Sequence, residues 1–316
     1  MKSSSKLKKK INASSPKGWK RLLFDPRVLT LLGLLCFLPL VVSVAGKFGS
    51  SLLEEKRFQV TRDSFQINEA PEGVPNDILA RVWREANLPE EFSILEPGLS
   101  KKLGEAFEQS PWIAKVKHLE LKPASVVKVE LEYRVPVALV KSAHGYFPID
   151  RDGVLLPPAD FSAADLARYP LIVSPRSNPQ GPAGTHWGDL SIWGAARLAE
   201  ILTPDHQLKT YWKKYDLASI QFSGEVNLLN ASPDQLRRVT YRLVTKKGSE
   251  IIWGIAPEIP DPAEPDAKTK LKRLALYFQN IGGTTAGQKP VEIDLRRWKN
   301  IARRPLPVST ERTTLQ

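Results

Sequence analysis

The sequence predicts an α+β protein in which one transmembrane helix precedes two folded domains. Residues 28–46 form an apolar run without a charged side chain, which is typical of a membrane-spanning helix. Residues 57–133 follow the order strand, helix, helix, strand, strand, which predicts a small sheet covered by two helices. Residues 134–302 combine several strand patterns with two helices, which predicts a mixed, mainly antiparallel β domain.

The length and flanks of the apolar run predict its topology. At 1.5 Å per residue, about 20 helical residues cross a hydrocarbon core of about 30 Å, and a helix satisfies its own backbone polar groups there. Residues 1–27 hold nine Lys and Arg against one acidic residue, and such cations stay on the cytoplasmic side. We therefore expect a basic, disordered cytoplasmic head over 1–27, a single pass through the cytoplasmic (inner) membrane at 28–46, and an extracytoplasmic body.

A cleaved secretory signal is the alternative for the same run. Ser43-Val44-Ala45 has the small-x-small pattern of a cleavage site. However, the run is longer than the apolar region of a secretory signal, which has about 7–15 residues, and the basic head before it is also long. We therefore expect a retained anchor.

Composition narrows the classes of function. The formal net charge is +12, and most of it lies in the head. The rest of the chain does not interleave basic residues with stacking aromatic residues, as single-stranded nucleic-acid binders do, so we expect no nucleic-acid partner. The lone cysteine, Cys36, lies in the apolar run, which excludes an intramolecular disulfide and a thiolate metal site.

Sequence motifs for catalysis and metal binding are missing. There is no G-x-S-x-G, H-E-x-x-H, Walker or Rossmann pattern. Asp150-Arg151-Asp152-Gly153 lacks the later ligands of a calcium loop and predicts a hairpin turn. The histidines are scattered without a partner at helical spacing, namely His118, His144, His186 and His206. We therefore expect a protein that is not an enzyme, with no catalytic residue, cofactor, metal or small-molecule substrate. An anchored envelope enzyme with a pair of carboxylates stays an alternative, because their separation in space decides it.

Each element of the first domain has its own pattern. Apolar and polar residues alternate in three predicted strands, at 57–67, 113–121 and 126–131. Apolar stripes at helical spacing predict two helices, at 75–86 and about 97–109. The expected inner faces are Ile78, Leu79, Val82 and Trp83 in the first helix, and Leu99, Leu103, Ala106 and Phe107 in the second.

The second domain is predicted as strands with two helices. The strand candidates are 135–141, 145–155, 219–229, 238–245, 250–255 and 291–295. The helix at 188–202 is expected to bury Leu190, Trp193, Leu198 and Ile201. The helix at 266–279 is expected to bury Leu271, Leu274, Ala275 and Phe278, and to turn Lys268, Lys270, Lys272 and Arg273 mostly outward. Proline-rich stretches predict irregular chain at 157–184, a loop at 257–265 and a disordered tail at 303–316.

Short motifs occur in a fixed order, densely from about Arg57 to Leu156. They are Pro111-Trp112-Ile113, Pro123, Glu132-Tyr133-Arg134-Val135-Pro136-Val137-Ala138, Gly145 to Leu155 and, later, Val291 to Arg296. Together they resemble the motifs of the bacterial cell-division family FtsQ/DivIB, and the basic head with one membrane pass is similar too. The β-α-α-β-β order resembles a POTRA domain. The resemblance implies a POTRA-like domain over 57–133 and an FtsQ/DivIB-type β domain over 134–302.

This resemblance also implies a function. Members of the family are membrane-anchored scaffolds of the cell-division machinery at the septum, where they help recruit or regulate septal peptidoglycan synthesis. The implied partners are other single-pass division proteins, the FtsB- or DivIC-like and FtsL-like coiled coils. The alternative is a POTRA-type module that binds polypeptides for envelope protein transport or assembly. The membrane itself would be a further partner in either case.

The last predicted strand is the candidate binding site. Apolar and polar residues alternate there, so its apolar face packs in a core. Either the strand is ordinary core, or it is an exposed sheet edge whose backbone groups accept a partner strand. The resemblance implies the second, with partner-binding residues Val291, Glu292, Ile293, Asp294, Leu295, Arg296, Arg297 and Trp298.

Within this site, the resemblance gives one residue a specific role. Arg296 stands where the family pairs an arginine with a partner carboxylate, a charge-assisted contact. The family often has an aromatic residue directly after that arginine, but this chain has Arg297 there and Trp298 one residue later. A shift of one residue along a strand moves a side chain to the other face of the sheet. Either a bulge turns Trp298 to the face of the family's aromatic residue, or a different residue contacts the partner.

Overall fold

The computed structural model divides the described chain between two hydrophobic cores. It describes residues 58–122, 126–173, 178–204, 211–224, 226, 232–280 and 289–306, and the isolated positions Thr30, Leu35, Phe37, Pro39, Val41 and Ser43. The first core is built around a small sheet whose last strand ends at residue 133, and the second is built around a large mixed sheet that follows it.

Five strands and two helices form the first unit. They are β1 (Gln59–Thr61), β2 (Phe65–Ile67), α1 (Ile78–Glu85), β3 (Glu91–Ser93), α2 (Leu99–Glu108), β4 (Ile113–Lys122) and β5 (Val126–Tyr133). In the three-stranded sheet β5 is central, parallel to β2 and antiparallel to β4. A separate antiparallel pair joins β1 to β3.

The helical stripes of the first unit pack on the sheet as the sequence predicts. In α2 all four residues of the predicted inner face are buried, and in α1 three of the four are, the exception being the half-buried Leu79. The sheet contributes Val127, Val129 and Leu131, which are at most 3% exposed. Alternation on β5 therefore fixes which face meets the helices.

The predicted fold of the first unit needs correction. The predicted strand at 57–67 is two short strands, because residues 62–64 form a 3-10 turn between β1 and β2. The connection between the helices adds β3, which pairs with β1. The order is therefore not the simple β-α-α-β-β, and a POTRA-like fold is not shown.

In the described part of the second unit there are eight strands and five α-helices. They are β6 (Pro136–Ser142), β7 (Gly145–Asp150), α3 (Ala163–Leu166), β8 (Leu171–Val173), α4 (Leu190–Leu202), α5 (Tyr211–Lys214), β9 (Leu217–Ser223), α6 (Pro233–Arg238), β10 (Thr240–Thr245), β11 (Glu250–Gly254), α7 (Ala267–Asn280), β12 (Val291–Asp294) and β13 (Ala302–Pro305). The strand order in the sheet is β13-β12-β11-β10-β9-β8-β6-β7. Four of its neighbouring pairs are antiparallel and three are parallel.

The face that α4 buries differs from the predicted one. Of the four residues expected inside, only Leu198 is fully buried, and the others are half-buried. Small residues face the sheet instead: a side chain at Gly194 would collide with the Tyr241 hydroxyl, which donates to the Ser191 carbonyl at 3.0 Å. Small side chains at this point let the helix lie close to the strands, and Ile192, Leu198 and Leu202 complete the buried face.

The predicted transmembrane helix is also corrected. Across the residues that the structure describes, no helix is long and apolar enough to cross a membrane. Most of 28–46, like the head at 1–27, lies outside those residues. By this finding, the prediction of a membrane helix is wrong, and so is that of a single-pass protein of the inner membrane. Those predictions rested on the length and hydropathy of the run and on the basic residues before it.

One polar cluster joins the two units. The carboxylate of Asp160, from the second unit, accepts two hydrogen bonds from the Arg81 guanidinium, at 2.7 and 2.8 Å, and one from the Trp112 indole N–H at 2.9 Å. The Trp112 ring stacks on Phe161, and Leu156 is fully buried in the first core. The chain after the predicted domain boundary therefore returns to the first unit.

Candidate partner-binding edge of the large sheet

The β12 strand is part of the second core. Val291, Ile293 and Leu295 are at most 5% exposed, as the predicted alternation requires. β12 pairs in parallel with β11, in the register Glu250 with Glu292 and Ile252 with Asp294. The apolar face of the predicted site is therefore core.

The other side of β12 is covered as well. β13 pairs with it antiparallel, and the register joins Val291 to Pro305 and Asp294 to Ala302. The expectation that 291–298 is a free edge is therefore wrong in this structure, since the outermost strand is β13. The sequence predicts a disordered tail from residue 303, yet Arg303 to Pro305 belong to this strand.

β13 differs from β12 in burial. Arg303, Arg304 and Pro305 are exposed and Ala302 is half-buried, so β13 brings no fully buried side chain to the sheet. Arg304 lies 3.5 Å from a carboxylate oxygen of Glu292, and just before the strand the half-buried Ile301 packs on the core. Charged residues and proline are the usual composition of a protected edge strand.

The buried Asp294 and the half-buried Arg296 form an ion pair at the end of β12. The guanidinium of Arg296 donates to both oxygens of Asp294, at 3.0 and 2.8 Å, and the Arg296 backbone N–H donates at 3.0 Å. Asp294 is 3% exposed, although it lies among the polar positions of the alternating pattern. Burial acts to raise the pKa of Asp294, but the hydrogen bonds and charge of Arg296 outweigh it, and the pKa lies below the ordinary 3.8.

Beyond the end of β12 the chain leaves the strand, so the face alternation does not reach Trp298. Trp298 is 59% exposed, and its indole N–H donates to the Pro262 carbonyl at 3.2 Å. Arg273 of α7 donates to the Arg297 carbonyl. The register of β12 with its neighbours shows no bulge, and Trp298 lies beyond the end of the strand.

A groove of about 660 Å³ opens next to Trp298, between the loop at 255–266 and the start of α7. Its floor holds Lys270, which is 2% exposed and donates to a carboxylate oxygen of Glu264 at 2.7 Å. The ammonium also lies 5.4 Å from the centre of the Trp253 ring. Burial lowers the pKa of Lys270, although the hydrogen bond and charge of Glu264 oppose the shift.

This buried pair was not found from the sequence. Lys270 falls on the polar side of the helical pattern, and the pattern carries no sign of a partner six residues earlier. The one local signal is Gly254, which has φ +96° and where a side chain would collide with the Glu264 carboxylate. Glycine there admits both the backbone conformation and the close approach of Glu264, whose Oε2 accepts from the Ile255 N–H at 3.2 Å.

A basic surface surrounds the strand end. Residues 296–304 contain no acidic residue and five basic ones, which are Arg296, Arg297, Lys299, Arg303 and Arg304. All but Arg296 are exposed. Such a surface attracts carboxylates more than other charged groups of a protein partner. We call the strands β12 and β13, together with residues 295–301, the C-terminal edge.

Comparison with known proteins gives no assignment. A scan against protein-family models finds no match for this chain, and a search of curated proteins finds none either. The partner-binding role of 291–298 therefore stays a prediction from the sequence, to which the structure adds the cover by β13 and the ion pair at Arg296.

Proposed function

We propose that this protein is a non-enzymatic scaffold that binds a polypeptide partner at the C-terminal edge. On the resemblance to the FtsQ/DivIB family, the proposed partners are the FtsB- or DivIC-like and FtsL-like proteins of cell division. The complex would help to recruit or regulate septal peptidoglycan synthesis. Main-chain pairing supplies the affinity in this mode of binding, and side chains beside the strand supply the specificity.

The observation that carries the proposal is the combination of features at this end of the sheet. β13 is the outermost strand and is mostly exposed, while the strand behind it is firmly in the core. Trp298 is 59% exposed directly beside it. Exposed tryptophan and arginine are the residue types enriched where binding energy concentrates in protein interfaces.

Arg296 needs a revised role under this proposal. Its guanidinium is bound to both oxygens of Asp294, so its charge already has a partner within the chain. The exposed Arg297 and Lys299 are better placed to meet partner carboxylates, and Arg296 holds the strand end in shape. Charges on the rim of an interface act mainly on association rate and on partner choice.

Site-specific photo-crosslinking in cells tests the proposal. A photoreactive residue at position 297 is expected to capture one small coiled-coil protein, which mass spectrometry identifies. The matched control is position 146, because Tyr146 is 45% exposed on β7, the opposite edge of the same sheet. Replacing Lys299 by Glu should weaken the crosslink from 297 without unfolding the chain, since Lys299 is exposed.

Two other results would argue against the proposal. Equal crosslinking from 146 and 297 would mean that the C-terminal edge has no special affinity. Crosslinks from 297 to many nascent secreted chains, in place of one protein, would favour the alternative of a polypeptide-binding module for envelope transport.

A further inference from the structure

The helix α7 turns a basic stripe to solvent. Lys268, Lys272 and Leu276 follow one another at intervals of four residues, which places them on one face, and all three are exposed. Leu274 and Phe278, on the opposite face, are at most 1% exposed. None of the 14 residues of α7 is acidic. The outer face of the helix therefore carries cations beside an exposed apolar side chain.

The cations of this stripe destabilise the helix that carries them. Lys268 lies in the first turn, where the positive end of the helix dipole disfavours a cation, and Lys272 repels it from four residues further on. Asp266, just before the helix, attracts Lys268 without forming an ion pair with it. Lys270 has Glu264 as its partner, whereas neither Lys268 nor Lys272 forms an ion pair within the described part of the chain. Residues that break a local rule without a matching gain inside the chain indicate a contact outside it.

The basic surface continues from α7 onto the segment after β12. Arg273, which borders the stripe, donates to the backbone carbonyl of Arg297, so the helix and this segment are in contact. Arg297, Trp298 and Lys299 are exposed, and residues 295–301 contain no acidic residue. We call the exposed stripe of α7, together with Arg273 and residues 297–299, the α7 basic face.

Two large apolar side chains are exposed on the α7 basic face. Leu276 is 49% exposed and Trp298 is 59% exposed, and the Pro262 carbonyl holds the indole N–H of Trp298. A dissolved polyanion would meet the cations and leave both apolar side chains in water. The surface of an anionic lipid bilayer suits both kinds of side chain. Its phosphate groups attract lysine and arginine, and its boundary between headgroups and acyl chains favours tryptophan and leucine.

We propose that the α7 basic face binds the surface of a bilayer that contains anionic phospholipids. Its lysine and arginine side chains reach the lipid phosphates with their stems extended along the headgroups, and Leu276 and Trp298 enter the headgroup layer. The contact is peripheral, and no segment crosses the bilayer in it. It goes beyond the proposed function, because Lys268, Lys272 and Leu276 lie outside the C-terminal edge.

A fluorophore at position 276 of the full chain tests the proposal. Leu276→Cys, in a Cys36→Ser background that removes the lone native cysteine, is labelled with a dye whose emission rises in apolar surroundings. The matched control carries the dye at Leu95→Cys, because Leu95 is 44% exposed in the first unit and residues 90–96 hold three acids and no base. Each dye reports its own surroundings, which separates this face from any other membrane contact of the chain.

Vesicles of phosphatidylcholine with about 30% phosphatidylglycerol supply the anionic surface. The emission at position 276 is expected to rise about threefold on these vesicles and to stay unchanged on phosphatidylcholine alone. The emission at position 95 should change on neither.

Charge reversal on the helix tests the role of the lysines. Lys268→Glu with Lys272→Glu should raise the lipid concentration at half-maximal signal about twentyfold, because each lysine near an anionic surface adds to binding. Both side chains are exposed, so the fold should persist. Lys115→Glu with Lys128→Glu reverses two exposed lysines of the first unit, makes the same change in net charge and should have no effect.

Several results would overturn the proposal. They are no rise at position 276 on anionic vesicles, an equal rise at position 95, an equal rise on neutral vesicles, and an unchanged lipid dependence after charge reversal on α7. A larger rise at position 276 with soluble polyglutamate than with anionic vesicles would also overturn it, and would assign the face to an acidic polypeptide. The proposed function is judged separately by crosslinking from position 297, since the substitutions on α7 leave the C-terminal edge intact.

Discussion

At the scale of single residues, Asp294 shows how a polar side chain enters the core of this sheet. A carboxylate at this depth loses its hydration and needs compensation from hydrogen bonds. Three N–H donors of Arg296 supply it, one from the backbone and two from the guanidinium. In the motif Asp294-Leu295-Arg296, the arginine therefore stabilises the buried carboxylate at the end of β12.

Removing the guanidinium should destabilise the protein. Arg296→Ala leaves Asp294 buried with a single backbone donor, and we expect a loss of about 2 kcal/mol in the free energy of unfolding. Arg297→Ala is the matched control, because Arg297 is exposed one residue later and should cost less than about 0.5 kcal/mol. Urea unfolding of the wild type, Arg296→Ala and Arg297→Ala at pH 7 measures both changes in the free energy of unfolding. Equal effects would mean that the ion pair carries no stability.

The same pair predicts an acid-dependent loss of stability. The pKa of Asp294 is lowered in the folded state, so the unfolded state binds more protons near pH 4. Its contribution is complete above the unfolded value of 3.8 and is lost as the pH falls through the lower folded value. The stability difference between the wild type and Asp294→Asn should therefore be larger at pH 6 than at pH 2.5. A difference that is constant with pH would contradict this origin.

At the scale of elements, the loop at 255–266 is attached to α7 through Lys270. Glu264 reaches back from the loop to both the Lys270 ammonium and the Ile255 N–H. Gly254, at the end of β11, leaves the space that this carboxylate occupies. The attachment shapes the groove beside Trp298, and so it positions the exposed tryptophan of the C-terminal edge.

Removing one partner of the Glu264–Lys270 ion pair should destabilise the protein. Glu264→Ala leaves a buried ammonium without its counterion, and we expect a loss of about 3 kcal/mol in the free energy of unfolding. The double variant Glu264→Gln with Lys270→Met removes both charges and should recover most of that loss. Thermal unfolding followed by circular dichroism compares the two variants with the wild type. If the double variant is no more stable than Glu264→Ala, the buried charge is not the cause.

The sequence predicts elements well where apolar periodicity decides the structure. The stripe of α2 and the alternation of β5 are found as expected, because the apolar side chains of both elements pack in one core. It fails where contacts between different elements decide. Lys270 is buried because Glu264 meets it, α4 turns its small residues inward because Tyr241 lies beneath them, and β13 forms because β12 offers it an edge.

At the scale of the whole molecule, Asp160 joins the two cores. It lies in the second unit and binds Arg81 and Trp112 of the first. The hydrogen bond from Arg81 to Asp160 and the charge of that carboxylate raise the pKa of Arg81. Because Trp112 and Arg81 come from different elements of the first unit, one carboxylate holds both against the second unit.

Loss of this carboxylate should uncouple the two units. Asp160→Ala leaves the largely buried Arg81 with the exposed Asp77 as its remaining ionic partner among the described residues. It also leaves the Trp112 indole N–H without its carboxylate acceptor. We expect the first unit to unfold about 5 °C lower, while the unfolding of the second unit is unchanged. Differential scanning calorimetry distinguishes the unfolding transitions of the two units. Asp77→Ala is the control, since it removes only the exposed ionic partner of Arg81. A uniform shift of both transitions would contradict a role at the junction.

The central claim is that a polypeptide partner binds at the C-terminal edge. Hydrogen exchange of the full chain, alone and with the protein captured by crosslinking from position 297, tests it most directly. The amides of β12, Val291 to Asp294, are expected to exchange at least tenfold more slowly in the complex, while those of β7 at the opposite edge keep their rates. Unchanged exchange in β12, or protection confined to β7, would contradict the claim.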